Sequence, residues 1–137
     1  MFDLEKPSSE LILIPASLGE LADKITILEI KREKFTDRGK LANVVRELEL
    51  LCRVLDGQSV RDDAFQSLFN ELGDVNRRLW DIEDRIRECE RKGQFDGTFI
   101  DLARAVYKSN DVRARIKREI NTQFGSVLVE EKSYSSY

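Results

Sequence analysis

Four carboxylates at helical spacing are the residues of this chain best suited to hold a metal ion. Glu20 and Asp23 lie three residues apart, as do Asp81 and Asp84, so each pair shares one face of a helix. Carboxylate oxygens from two facing helices are sufficient ligands for Mg²⁺ or Mn²⁺. The alternative is ion pairing on an exposed helix surface, where Arg85 follows Asp81 by four residues. We expect no cofactor, with Mg²⁺ as the alternative.

A second group of polar residues follows one face of the last long helical segment. If this segment folds back on the preceding helix, the group faces the region of Trp80 and Asp84, and Tyr107 adds an aromatic wall. The candidate anion or ligand pocket consists of Trp80, Asp84, Tyr107, Asn110, Arg113, Lys117 and Asn121. The alternative is a structural clamp, in which Asp84 pairs with Arg113 because buried polar groups need partners.

The composition removes many kinds of catalysis. The chain of 137 residues contains no histidine, which excludes Ser-His-Asp and Cys-His catalysis, mixed Cys/His zinc sites and His-containing di-iron sites. Two cysteines cannot form a Cys₄ zinc site, and Cys52 and Cys89 lie on apolar helix faces, where we expect them to be buried. What remains is carboxylate, lysine, arginine and tyrosine chemistry, or no catalysis.

Charge and hydropathy predict a cytoplasmic protein that binds neither membranes nor nucleic acid. The 23 Lys and Arg residues against 26 Asp and Glu residues give a net charge of −3, and the interleaved aromatics of single-strand binders are lacking. The longest unbroken apolar run, Leu11–Ile14, is too short to cross a membrane, and the acidic start differs from a signal peptide. We therefore expect no DNA, RNA or membrane partner.

Apolar periodicity predicts one all-α domain over residues 1–137, an antiparallel four-helix bundle. The predicted helices span about 18–35, 40–56, 60–92 and 98–124. Short terminal β-strands are predicted at 11–14 and 127–129, and the ends 1–9 and 133–137 are predicted to be mobile.

Capping residues mark the ends of these helices. Ser17 and Glu20 form a capping box, and Ser59 and Thr98 are the N-cap predictions for the third and fourth helices. The predicted stops are the glycines at 57, 93 and 125. The residues 36–39 between the first two helices are typical of a turn.

The third predicted helix carries the most regular pattern in the chain. Its apolar residues follow a strict heptad: Leu68, Leu72, Val75, Leu79, Ile82, Ile86 and Cys89. The short loop 93–97 predicts a long antiparallel hairpin with the fourth helix, and Gly73 marks a bend or a close helix contact. Phe65, Phe69 and Trp80 lie beside the seam, so we expect surplus apolar surface to be buried in a homodimer or against another protein. The alternative is that the domain's own core covers it.

Several motifs together resemble a small uncharacterised bacterial α-helical domain family. They are GELADKITILEIK (19–31), LWDIEDRIR (79–87), the segment 99–121 with AVYKSND at its centre, and EEKSY (130–134). The resemblance spans about residues 14–134. It implies a helical domain and carries no assigned activity.

A local resemblance supplies an enzymatic alternative. The segment Asn70–Asp74, followed by Leu79 and Trp80, is similar to the second acidic motif of the all-α nucleoside triphosphate pyrophosphatases, which binds Mg²⁺. That family also needs Glu-x-x-Glu on the preceding helix, whereas Glu47 and Glu49 are two residues apart and face different sides. The pattern therefore favours a non-catalytic binding or oligomerisation module. The alternative is a Mg²⁺-dependent phosphate- or nucleotide-binding enzyme that uses the four carboxylates with Arg113 and Lys117 on the anion.

Overall fold

Four packed α-helices make up the domain in a computed structural model that describes residues 11–125, 131 and 133–137. The helices are α1 (Leu18–Lys34), α2 (Arg38–Asp56), α3 (Asp63–Lys92) and α4 (Gly97–Gln123). The all-α prediction and the number of helices are confirmed.

The described residues contain no β-strand, so the strand predicted at Leu11–Ile14 is wrong. Ile12, Leu13 and Ile14 are exposed, and a strand needs a neighbouring strand to satisfy its backbone. The second predicted strand, at 127–129, lies outside the described residues.

Each helix begins at a side-chain cap. Ser17 Oγ accepts from the Glu20 N–H at 3.0 Å, which is one half of the predicted capping box. The Glu20 carboxylate, predicted to accept from the Ser17 N–H, accepts instead from Lys117 Nζ. In the other three helices the cap is an aspartate, a residue whose carboxylate accepts strongly from the first-turn amides: Asp37, Asp62 and Asp96. Asp62 and Asp96 thus take the places predicted for Ser59 and Thr98, and α2 begins before the predicted position 40.

Two of the three predicted glycine stops adopt the left-handed conformation that favours glycine. Gly93 has φ = 64° and Gly125 has φ = 70°. Gly57 is the C-cap of α2, but with φ = −66° it stays right-handed, and its N–H donates to the carbonyl of Arg53. The left-handed residue after α2 is Ser59, with φ = 54°.

The helices α3 and α4 form an antiparallel hairpin. At the hairpin turn, Ile82 and Cys89 of α3 pack with Leu102 of α4 in a small core. At the opposite end, the rings of Phe65 in α3 and Phe124 in the cap of α4 meet at 5.5 Å. The helix α1 packs against this hairpin and also against α2.

The main core lies where α1 meets the hairpin. Its fully buried apolar side chains come from all four helices: Ile25, Leu55, Phe65, Leu72 and Ile120. Phe69 is also buried there, and Trp80 packs on Phe35 with ring centroids 6.2 Å apart. The aromatic surplus predicted beside the heptad of α3 is therefore covered largely within the domain.

Candidate functional site

A buried carboxylate joins three of the helices. Asp23 of α1 is 1% exposed, and its Oδ1 accepts from Asn76 Nδ2 of α3 and from Arg113 Nε of α4, each at 2.9 Å. Arg113 Nη2 donates to the other oxygen, which makes the ion pair bidentate. Thr26 Oγ1 completes the group by accepting from Asn76 Nδ2 at 2.8 Å and donating to the Asp23 carbonyl. One carboxylate thus fixes the relative positions of α1, α3 and α4.

A second ion pair lies beside the first. Lys117 of α4 is buried, and its Nζ lies 2.8 Å from Glu20 Oε2 and 3.9 Å from Asp23 Oδ2. Two carboxylates therefore face two cations, and the charges balance. Such a balance is needed because an unpaired buried charge is costly.

The third part of the site is a close approach between the start of α1 and the end of α4. The Gly19 N–H donates to Asn121 Oδ1 at 2.7 Å. A Cβ on Gly19 would lie 2.5 Å from the carbonyl oxygen of Lys117, so only glycine fits between the helices. Asn121 is 1% exposed, and within the described chain its Nδ2 is buried without a hydrogen-bond partner.

These contacts define the polar cluster, formed by Gly19, Glu20, Asp23, Thr26, Asn76, Arg113, Lys117 and Asn121. Three predicted pocket residues belong to it, namely Arg113, Lys117 and Asn121. The carboxylate expected on Arg113 was Asp84, but Asp84 is an exposed residue of α3 and Asp23 holds the guanidinium.

The remaining predicted pocket residues lie elsewhere. Trp80 is half-buried against Phe35, and Tyr107 is exposed and packs on Tyr137 with ring centroids 5.2 Å apart. Asn110 is half-buried on α4. The structure thus brings together Arg113 and Lys117 of the predicted pocket, but Trp80 and Tyr107 do not line the same site.

The four metal-ligand candidates do not converge on one point. Glu20 and Asp23 lie together but face Lys117 and Arg113, while Asp81 and Asp84 are exposed on α3. In residues 11–125, 131 and 133–137, no group of three or more metal-ligating side chains occurs.

Sequence reasoning missed Gly19 and Thr26 as members of the cluster and gave Asn76 no specific role. A signal for Thr26 was present, because Glu20, Asp23 and Thr26 form a polar line at steps of three in a helix that buries most of its other faces. Nothing local distinguishes Gly19 from an ordinary first-turn glycine, since its close contact is with α4.

Two carboxylates outside the cluster have pKa values shifted in opposite directions. Arg77 of α3 donates two hydrogen bonds to Glu33, at 2.6 and 2.8 Å, and this contact holds the pKa of the Glu33 carboxyl below its ordinary value of 4.5. Partial burial raises the pKa of Glu29 above the same value, against the opposing effect of nearby arginines.

Neutralising these two carboxylates is expected to change thermal stability in opposite directions. Glu33 stabilises the fold above pH 4.5, and the contribution is lost as the pH falls through its lowered pKa, so Glu33→Gln lowers Tm at neutral pH. Charged Glu29 costs stability at neutral pH, so Glu29→Gln raises Tm there by an amount worth less than about 1 kcal/mol. Melting curves of both variants and the wild type across the acidic range measure these effects. The difference in Tm between Glu29→Gln and the wild type should disappear below pH 4.5. Changes in Tm of the same sign in both variants at neutral pH would contradict the assignment.

The charged side chains of the polar cluster are thus paired with one another inside an α-helical domain. The chain belongs to the family of unknown function DUF6165, whose family model matches residues 13–137. This confirms the resemblance drawn from the motifs. No curated protein and no solved structure matches the chain. Among the described residues, none of the helices is both long and apolar enough to span a membrane.

Proposed function

We propose that this domain is a non-catalytic binding module that associates with a second copy of itself. The observation that carries the proposal is the polar cluster: Asp23 accepts from Arg113 and Asn76, while Lys117 bonds to Glu20. An enzyme of this composition needs these groups to line an open cleft, where they meet a substrate. Here they hold three helices together, which is a structural role.

Apolar surface that the core leaves uncovered supports an interaction role. At the hairpin turn, Phe95 and Ile100 are 56% and 55% exposed. A second apolar surface follows the outer side of α2, around Leu41 and Val45. Exposed apolar side chains at these two places are available for association with another protein.

The enzymatic alternative is a Mg²⁺-dependent phosphate- or nucleotide-binding activity. It requires the carboxylates and cations of the cluster to exchange their mutual contacts for a metal and an anion. Breaking a buried ion pair costs several kcal/mol, so such a site would have to overcome that cost before it gained any affinity. Glu71 and Asp74, the pair similar to the pyrophosphatase motif, are both exposed.

A cytoplasmic location is part of the same proposal. Cys52 and Cys89 are both free, and burial raises the pKa of the Cys52 thiol, which makes it less reactive. Free cysteines persist in a reducing compartment.

A thermal-shift screen with nucleotides, sugar nucleotides and inorganic phosphate, each with and without Mg²⁺, separates the two functions. A ligand at about one hundred times its dissociation constant stabilises by about 2.7 kcal/mol, which shifts Tm by several degrees. The proposal predicts no shift with any of them, together with a mass that rises with protein concentration. A Mg²⁺-dependent shift abolished by Lys117→Met but not by the exposed control Lys108→Met would favour the enzyme.

A further inference from the structure

The outer face of α2 carries a shallow groove of about 470 Å³. Three of its lining residues have apolar side chains, Leu41, Ala42 and Val45, and three are charged, Arg38, Arg46 and Glu49. Arg38 and Glu49 have no ion-pair partner in the described part of the chain. Arg38, Ala42, Arg46 and Glu49 are exposed. Leu41 and Val45 are half-buried and adjoin the line of Val44, Leu48 and Leu55 that faces the core.

This face is complementary to itself when it is turned end for end. Arg38 and Glu49 are equally distant from a midpoint between residues 43 and 44, and so are Ala42 and Val45. In an antiparallel helix pair with a twofold axis at this midpoint, Arg38 of each copy lies opposite Glu49 of the other, and Ala42 lies opposite Val45. The spacing 38, 42, 45 and 49 is the alternation of four and three that forms a coiled-coil seam.

The side chains of the seam suit such a contact. The small Ala42 near the axis lets the two helix backbones approach closely. Leu41 and Arg46 flank the seam on either side, and the aliphatic stem of an arginine can cover apolar surface while its charge stays in water. A second copy of α2, turned end for end, supplies the opposite charge at each end of the seam.

We propose that the domain forms a twofold homodimer through antiparallel pairing of α2, with two Arg38–Glu49 ion pairs at the ends of the seam. This inference rests on the proposed self-association and names the surface that performs it. One helix from each copy buries a small area, so we expect a dissociation constant in the micromolar range.

Charge reversal in two complementary variants tests the pairing. In the Arg38→Glu homodimer two acidic groups meet at each end of the seam, and in the Glu49→Arg homodimer two basic groups meet. Each single variant should dimerise at least about tenfold more weakly than the wild type. In an equal mixture both ion pairs are restored in the heterodimer, as they are in the double variant R38E/E49R, and the affinity should return to within about threefold of the wild type.

The matched control is Arg104→Glu, the same change of charge at an exposed position of α4, which should leave the affinity unchanged. All these positions are exposed, and circular dichroism checks that each variant folds. A wild type that dimerises with unaffected single variants, or a mixture that fails to restore affinity, would overturn the α2 pairing and leave self-association standing. A wild type that stays monomeric would overturn both.

Discussion

Replacement of Asp23 with alanine is expected to lower the free energy of unfolding by about 3–5 kcal/mol. The change removes the carboxylate that accepts hydrogen bonds from Asn76 and Arg113. It also leaves the polar cluster with two cations, Arg113 and Lys117, and only one carboxylate, that of Glu20. Lys117 is buried, and Arg113 is only 29% exposed, so solvent compensates for little of the loss. Urea denaturation followed by circular dichroism measures the effect.

The exposed carboxylate Asp81 of α3 provides the matched control. Asp81→Ala should change the free energy of unfolding by less than about 0.5 kcal/mol. In a double-mutant cycle, Asp23→Ala and Arg113→Ala together should destabilise less than the sum of the two single changes, because the second removes a charge that the first left unpaired. A cost below about 1 kcal/mol for Asp23→Ala would show that the cluster does not hold the helices together.

Replacement of Gly19 with alanine is expected to destabilise the domain by about 3 kcal/mol. Alanine normally stabilises a helix relative to glycine, so helix propensity alone would predict that Gly19→Ala raises the free energy of unfolding. We expect it to fall. A Cβ here would lie 2.5 Å from the Lys117 carbonyl oxygen and 2.9 Å from Asn121 Oδ1, so α1 must move away from α4. That movement also weakens the hydrogen bond from Gly19 to Asn121.

Gly73 provides the comparison within the same fold. The nearest atom to a Cβ at this position is Thr26 Cγ2 at 3.9 Å, an ordinary contact. Gly73→Ala should therefore raise the free energy of unfolding by up to about 1 kcal/mol. Thermal or urea unfolding of the two alanine variants measures both effects, and destabilisation of similar size in both would contradict the assignment of the close approach to Gly19.

Much of the helical framework is predictable because it depends on local chemistry. The apolar line of α3, the cap at Ser17 and the left-handed turn at Gly93 each arise from residues within a few positions of one another. The strand prediction at Leu11–Ile14 failed because an apolar run is a strand only where a neighbouring strand exists, and that depends on the tertiary structure.

The polar cluster was only partly predictable for the same reason. Arg113 and Lys117 were recognisable as a polar line on an otherwise apolar seam, but their partners lie about ninety residues earlier in the chain. The expected partner Asp84 has the right charge and lies on the helix that pairs with α4. Asp23 bonds to the guanidinium of Arg113 instead because α1 packs against both α3 and α4. The spacing of residues along one helix does not predict which other helices pack against it.

The polar cluster and the outer face of α2 lie in different parts of the domain and have different roles. Asp23 and Gly19 hold α1 tightly to the α3–α4 hairpin. The helix α2 packs on α1, and its far side carries the groove around Ala42. The proposed dimer uses this side of α2, and a surface that is ordered before binding loses less entropy on association.

Sedimentation equilibrium of the wild-type chain over a wide concentration range tests the central claim most directly. Self-association predicts that the weight-average mass rises from 15.9 kDa at low concentration towards twice that value at roughly 0.5 mM. A single dissociation constant in the micromolar range should describe the whole curve. A mass that stays at 15.9 kDa throughout would contradict the account.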